Sequence, residues 1–576
     1  MLLWISPPFK GFSFTSKFAA NYYSKNVHIY EPEYYYNSEQ FNLEASVSEA
    51  DTSVMYWQWE NYASYTRTFA DKHSMTVMLG TSSSSKDYKT VNAEGYPLIK
   101  DQESYANLDY VSSQTNSTVS GYDIRDRKAS FFGRVNYEFK NKYLFEATLR
   151  YDGAGTSILP EDKRWGLFPA VSAGWVATEE EWFPTFNGTV TFFKIRASWG
   201  RNGSLSNLGE YSYSANITST TTDSSGDTVS RLYPLADGSY KVASIPASLG
   251  NYSLTWETSE QFDIGLDLRL LSSRLSFTMD WYHKETKDLI TENTPALEAG
   301  NDASPVNGGN VLNKGFEFDL SWRDNVGDFS YGISANLSTL SNKVTYLDPS
   351  IDRISGAYTQ TNWYATAFEE GYPVWYFRGY KTDGLTEDGE VNFVDVNGDG
   401  SITTADYTMI GNPIPDFTYG LTFNAAYKGL DFTLFMSGSQ GNDILYAARR
   451  PDRLTTNKLA TFYTDSWSET NTNAKYPSPA SQCSATNFWY SDMMVFDGSY
   501  LKIKQIQIGY TFPKKWMSKV DISNLRVYVS LDDFFTITNY PGMDPEASSS
   551  TNYNIGIDRG FYPNSRKVMF GLSLTL

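Results

Sequence analysis

The chain has 576 residues, a formal net charge of −19, and a composition that is 40% hydrophobic and 16% aromatic. That length exceeds one ordinary compact core and leaves either several domains or one large closed sheet. No run approaches the 18 apolar residues that a membrane-spanning helix needs, and the acidic balance, without a basic patch, excludes a nucleic-acid partner.

At the start, Met1-Leu2-Leu3-Trp4-Ile5-Ser6-Pro7-Pro8 lacks a basic n-region, a full apolar stretch and a small-residue cleavage site, so it does not read as a secretion signal. From there on the dominant pattern is period-two alternation over strand-length segments. About 16 segments carry it: 11–25, 56–69, 73–84, 129–139, 143–152, 167–177, 192–201, 259–270, 274–288, 314–323, 329–341, 417–427, 430–440, 500–512, 525–538 and 566–576. In one of them Phe262, Ile264, Leu266, Leu268 and Leu270 share a face opposite Asp263, Gly265, Asp267 and Arg269. The alternation slips near Lys504 and Gln505, which predicts a bulge or a strand end.

The connections alternate in length. Short ones at 71–72, 140–142, 271–273, 324–328 and 428–429 take turns with long ones at 86–128, 202–258, 289–313, 342–416, 441–499 and 539–565. This parity is the mark of an antiparallel transmembrane β-barrel, whose periplasmic turns are short and whose extracellular loops are long. Only alternate side chains of such a strand meet lipid, so a polar average composition is compatible with membrane insertion. The 43 Tyr, 35 Phe and 15 Trp suit the aromatic girdles of a barrel and equally suit carbohydrate stacking.

Single residues carry little catalytic promise. His28, His73 and His283 are far apart in sequence, and Glu179-Glu180-Glu181 and Asp532-Asp533 read as solvated turn or lumen charge rather than a glycosidase pair. Cys483 stands alone, so no intrachain disulfide forms. One motif is chemically sharp. Within the long loop 342–416, Asp395, Asn397, Asp399, Ser401, Thr403 and Asp406 fall at positions 1, 3, 5, 7, 9 and 12 of a calcium-type loop, with Gly400 sixth, where the chain must turn sharply. It ends in Asp406 rather than a bidentate Glu. The expected ion is calcium in a structural role, set against a Gly/Asp turn held by its own hydrogen bonds. The aromatic clusters Trp363-Tyr364, Trp375-Tyr376-Phe377 and Phe488-Trp489-Tyr490 lie in external loops. There Trp363, Tyr364, Trp375, Tyr376, Phe488, Trp489 and Tyr490 either contact a sugar or a partner lid, or pack the loops among themselves.

Several stretches resemble the SusC/RagA family of TonB-dependent outer-membrane transporters. They are Phe131-Phe132-Gly133-Arg134-Val135-Asn136-Tyr137, Tyr143 to Gly153, Arg164-Trp165-Gly166-Leu167-Phe168-Pro169, Trp256-Glu257, Asn313-Lys314-Gly315-Phe316-Glu317, Gly379-Tyr380 and Tyr500-Leu501-Lys502-Ile503. The resemblance covers essentially the whole chain. It implies an all-β barrel with about 16 of 22 wall strands in residues 1–576, and the plug domain and energy-coupling segment outside this chain. It further implies a SusD-like surface lipoprotein as partner, TonB as energy source, outer-membrane lipid around the wall, and an oligosaccharide or peptide as cargo, with no covalent catalysis. The terminal Leu576 departs from the aromatic residue usual at the end of such barrels. Two other classes remain: a passive 16-stranded porin closed by this chain alone, and a soluble glycan-binding or glycan-cleaving β-protein.

Overall fold

The computed structural model describes residues 2–5, 10–38, 40–112, 116–183, 189–222, 228–236, 238–293, 295, 301–359, 363–448, 458–484, 486–546 and 552–576. Positions 1 and 6–8 of the N-terminal stretch read above lie outside them. One 18-stranded sheet dominates. Its strands in chain order are β1 (Leu2–Ile5), β2 (Phe12–Glu31), β3 (Ser46–Phe69), β4 (His73–Gly95), β5 (Thr118–Phe139), β6 (Tyr143–Gly153), β7 (Trp165–Val176), β8 (Val190–Ser204) and β9 (Glu257–Leu270). The rest are β10 (Leu275–Asn293), β11 (Ser304–Val326), β12 (Phe329–Thr339), β13 (Ser341–Leu347), β14 (Phe417–Tyr427), β15 (Leu430–Gln440), β16 (Tyr500–Thr511), β17 (Asn524–Thr538) and β18 (Lys567–Thr575).

Each strand pairs antiparallel with the next along the chain, except that β12 and β13 both pair with β11 and make one wall position interrupted at Leu340. Every one of the sixteen segments expected from alternation is therefore a wall strand, and β1, too short to show a period, is added to them. The slip at Lys504 is a bulge: the register of β16 breaks between Ile503 and Gln505 against β17, where Asp533 adopts a positive φ of 55°.

The alternation faces are the two faces of this sheet. Leu79, Phe131, Leu149, Ile264, Phe316, Ile508 and Phe570 stand exposed on the apolar side. Opposite them the wall is laced with ion pairs such as Arg196 to Asp267 and Asp280, and Arg526 to Asp431. A soluble sandwich would bury the apolar side under a second sheet. Here the buried apolar residues gather instead in clusters built largely from loop segments.

At one end the connections are tight. Residues 70–72 and 140–142 begin with two non-glycine residues at positive φ, Ala70-Asp71 and Lys140-Asn141, as a type I′ hairpin needs to follow the strand twist. At the other end the wall runs further than alternation shows. β3 has 24 residues, about 80 Å of chain at ~3.3 Å per residue, against an apolar band ~25 Å tall. The expected loop 86–128 is thus strand to Gly95 and again from Thr118, and 289–313 is strand to Asn293 and again from Ser304. These extensions have water on both faces, so nothing forces their sequence to alternate.

Among the described residues no pairing joins β18 to β1 or β2, which leaves the sheet with two free edges. Among the described residues these strands do not close into a 16-stranded ring.

Candidate functional site

The long connections at the far end of the wall do not hang separately. Segments from 348–416, 441–499 and 539–566 fold into one cap. A four-stranded sheet of Ile354–Ser355, Thr366–Phe368, Tyr376–Gly379 and Thr408–Gly411 lies in the first of them. Asp443–Tyr446, Val495–Asp497 and Ile557–Asp558 knit the second to the third. Loops this long are uncommon without structure of their own, and these make their own core. That core holds Trp363, Phe377, Ile444, Leu445, Phe462, Tyr476, Phe488, Trp489, Met494, Phe496, Tyr540 and Ile557. Its polar groups are satisfied internally. The Gln482 amide, 1% exposed, donates to the Phe462 and Pro477 carbonyls, and the Trp489 indole donates to the Gln482 carbonyl.

Of the two alternatives for the loop aromatics, this arrangement gives packing to four of the seven. Trp363, Tyr376, Phe488 and Trp489 are buried and have no face to offer a ligand. Tyr376 donates to Glu369 and stacks on Tyr372, and burial pushes its hydroxyl far above the ordinary phenol range. Trp375, at φ 57°, packs between Phe368 and Tyr553, and Tyr490 lies 4.9 Å from the Trp363 ring. Of the seven, Tyr364 alone is exposed.

In the calcium-type loop, Asp395 accepts from the amides of Gly398 and Gly400 at 2.7 and 2.8 Å. Asn397 accepts from the Asp399 amide, and Asp399 from the Ser401 amide. Gly398 and Gly400 take positive φ, 75° and 84°, which L side chains rarely adopt. Thr403 caps the turn at Thr404–Asp406. Asp406 is buried and accepts from the amides of Thr403, Val396 and Asn397, and these bonds, that from Thr403 foremost, hold its carboxyl below the usual range. The loop is thus held by its own backbone amides donating to Asp395, Asn397, Asp399 and Asp406. Among the described residues, however, no three His, Cys, Asp or Glu side chains are drawn together in a metal-ligating group.

The cap is tied to the wall by charge. Lys502, at the loop end of β16 and 2% exposed, lies 2.6 Å from both Asp544 and Glu546, and Lys504 lies 2.7 Å from Glu546 and 3.3 Å from Asp533. Asp544 also accepts from the Asn564 amide. Burial alone would raise both loop carboxyls. The lysines and amides outweigh it and hold them below the ordinary carboxylate range.

Sequence reasoning did not find a cleft of about 650 Å³ at the inner face of β5, β6 and β8. Asp126, Lys128, Arg150, Asp152 and Glu210 line it, with Trp256 on one wall. Lys128 pairs with Asp126 at 3.1 Å and Arg150 with Asp152 at 2.9 Å. The other oxygen of Asp126 is buried with no hydrogen-bond partner among the described residues. Such a surface offers donors and acceptors with little net charge. The signal was present: continuing the even positions of β5 below Ser130 reaches Lys128 and Asp126.

The remaining titratable candidates are dispersed. His28 contacts Glu49, His73 contacts Tyr137 and His283 lies beside Trp281. Glu180 is held by Lys142, Tyr143 and Trp175, and Asp533 by Lys504.

The profile of the family described as TonB dependent receptor-like, beta-barrel matches residues 8–530. TonB-dependent receptor P3 of Formosa agariphila is 31% identical over 545 residues, 89% of this chain and 52% of that protein. TonB-dependent receptor SusC of Bacteroides thetaiotaomicron is 29% identical over 471 residues, 79% of this chain and 44% of that one. The solved RagAB peptide transporter superposes with a TM-score of 0.81 at 20% identity, over 99% of this chain and 60% of its own, a likeness of fold. The chain spans about half the length of the curated relatives it matches.

Proposed function

The chain belongs to the TonB dependent receptor-like β-barrel family and is an outer-membrane barrel wall, and from that premise we propose that it serves nutrient import. In this reading the wall, completed by strands beyond those described, surrounds a path for oligosaccharides or peptides. TonB supplies the energy, a SusD-like lipoprotein closes over the cap, and no covalent bond of the cargo is broken. The observation that carries the reading is the pairing of an apolar outward face with an ion-paired inward face and a folded cap at the long-loop end. A porin closed by these strands alone is disfavoured by the two free sheet edges.

Cargo contact is assigned to the cleft of Asp126, Lys128, Arg150, Asp152 and Trp256, with Tyr364, Trp375 and Tyr490 available at the cap. Fluorescent oligosaccharide and peptide pools offered to cells with and without the gene distinguish the cargo class. The expected result is energy-dependent uptake of one pool that disappears with the gene and falls at least tenfold in Asp126→Ala/Arg150→Ala. Uptake that survives collapse of the proton-motive force sinks the coupled reading. Co-purification in detergent tests the lipoprotein partner.

Calcium is the proposed structural ion of the loop Asp395, Asn397, Asp399, Ser401, Thr403 and Asp406. The spacing and the backbone wrap support it, and a carboxylate with roughly four lone-pair sites has acceptor capacity beyond the amides it already meets. Terbium luminescence sensitised by nearby aromatics is expected to rise on loading, be displaced by calcium, and vanish in Asp395→Ala/Asp399→Ala. A flat titration of the unaltered protein removes the ion from the account.

A further inference from the structure

Across β8, β9, β10, β11 and β13 the outward face changes character within one step of the register. Ala197, Ile264, Trp281 and Phe316 form one apolar row, in which Ile264 is opposite Trp281 and Trp281 opposite Phe316. The next row toward the loops is Trp199, Phe262, His283, Lys314 and Ser341, and the one after it Arg201, Glu260, Glu285, Leu312 and Lys343. Lys287 follows, opposite Thr258. All these side chains share the parity of Phe262, Ile264 and Phe316, which stand exposed on the lipid side.

The two carboxylates here are already committed. Glu260 pairs with Arg201 through Nε at 2.8 Å and with Lys287 at 2.9 Å, and Lys287 also reaches Glu285 at 3.5 Å. Lys314 and Lys343 are exposed and form no ion pair among the described residues. Four cations thus face two carboxylates on a chain whose overall charge is −19. Chance scatter on so acidic a protein does not favour that local sign.

We propose that this row is a binding surface for phosphorylated lipid headgroups of the surrounding outer leaflet, with Lys314 and Lys343 as the phosphate ligands. The inference rests on the outer-membrane placement and is independent of what the lumen carries. Lys314 is two residues along β11 from the lipid-exposed Phe316, about 7 Å of strand, and shares its row with Trp199 and Phe262, aromatic types that sit at headgroup level in a barrel wall. A cluster of lysines at that depth attracts anionic lipid, each contributing while it lies within a Debye length of the surface. Arg201 and Lys287, held by Glu260, would keep the neighbouring strands in register beside the ligand.

The test is native mass spectrometry of the full chain purified in detergent, titrated with diphosphoryl lipid A and with the same lipid after phosphatase treatment. At least tenfold stronger retention of the phosphorylated form is expected, falling to parity in Lys314→Glu/Lys343→Glu and persisting in Lys314→Arg/Lys343→Arg. A Lys514→Glu control at the short-turn end should leave the preference intact. Equal retention of both lipids by the unaltered protein overturns the proposal, whether or not the Glu variant folds, and so does a preference that survives in a folded Glu variant.

Discussion

Replacing Lys502 with Ala is expected to free the last long connection, 539–566, from the wall at a local cost of about 3–5 kcal/mol. The lysine is 2% exposed and is the shared partner of Asp544 and Glu546, each at 2.6 Å. Its removal leaves two carboxylates where burial already opposes their charge, with Lys504 the one remaining cation and reaching only Glu546 of the pair. Hydrogen exchange in detergent micelles should show protection lost over 539–546 and 557–566 and kept in β16 and β17. Limited proteolysis should cut the same connection.

The same ion pairs set a pH response. Both carboxyls titrate below their ordinary range in the folded protein. Their stabilisation is therefore fully present above the unfolded value of about 4 and is lost as pH falls through the lowered folded value. The connection should loosen in acid. In Lys502→Ala the main cause of the lowering is gone, so loosening moves to higher pH. Unchanged protection and an unchanged acid midpoint would show that the lysine does not hold the connection.

The second large effect is expected at Phe462, which is fully buried. Its ring sits edge-on to Tyr476 at 4.8 Å and Trp489 at 5.6 Å, and within 6.5 Å of Phe488 and Phe496. Phe462→Ala deletes the centre of that cluster and should cost about 3–5 kcal/mol, all of it in the cap. Near-ultraviolet dichroism from the clustered rings should collapse and proteolysis of 441–499 should accelerate. The wall, which shares none of these contacts, should keep its far-ultraviolet strand signal. If a lipoprotein seats on the cap, its affinity falls in parallel. Loss of wall and cap together would mean that the two fold as one cooperative unit and that the division drawn here is wrong.

Particular residues show what could be read in advance. Phe262 to Leu270 fixed a face because each of those side chains must meet lipid or water according to its parity, and the residues on strands β9 and β10 fell in place. Lys504 announced its bulge by breaking that parity. Glu49, Lys89 and Asp123 gave no such warning, because they sit where β3, β4 and β5 rise above the membrane and both faces of the sheet are wet. The cleft of Asp126 and Arg150 needed three strands brought side by side before its residues became neighbours.

The aromatic loops are the clearest case of a pattern that leaves two readings open. Trp363 is far in sequence from the neighbouring Phe488 and Trp489, and a hydrophobic core made from three connections has no period, so nothing local separates a buried ring from one waiting for a sugar. By itself the sequence determined most of the wall: sixteen of its strand segments, the two faces, the parity of the connections and the class of protein, since a strand's surroundings repeat every second residue. The tertiary structure decided the cap, the ion pairs that anchor it and the free edges of the sheet, since these depend on which distant segments meet, and that is set by packing rather than by any repeat along the chain.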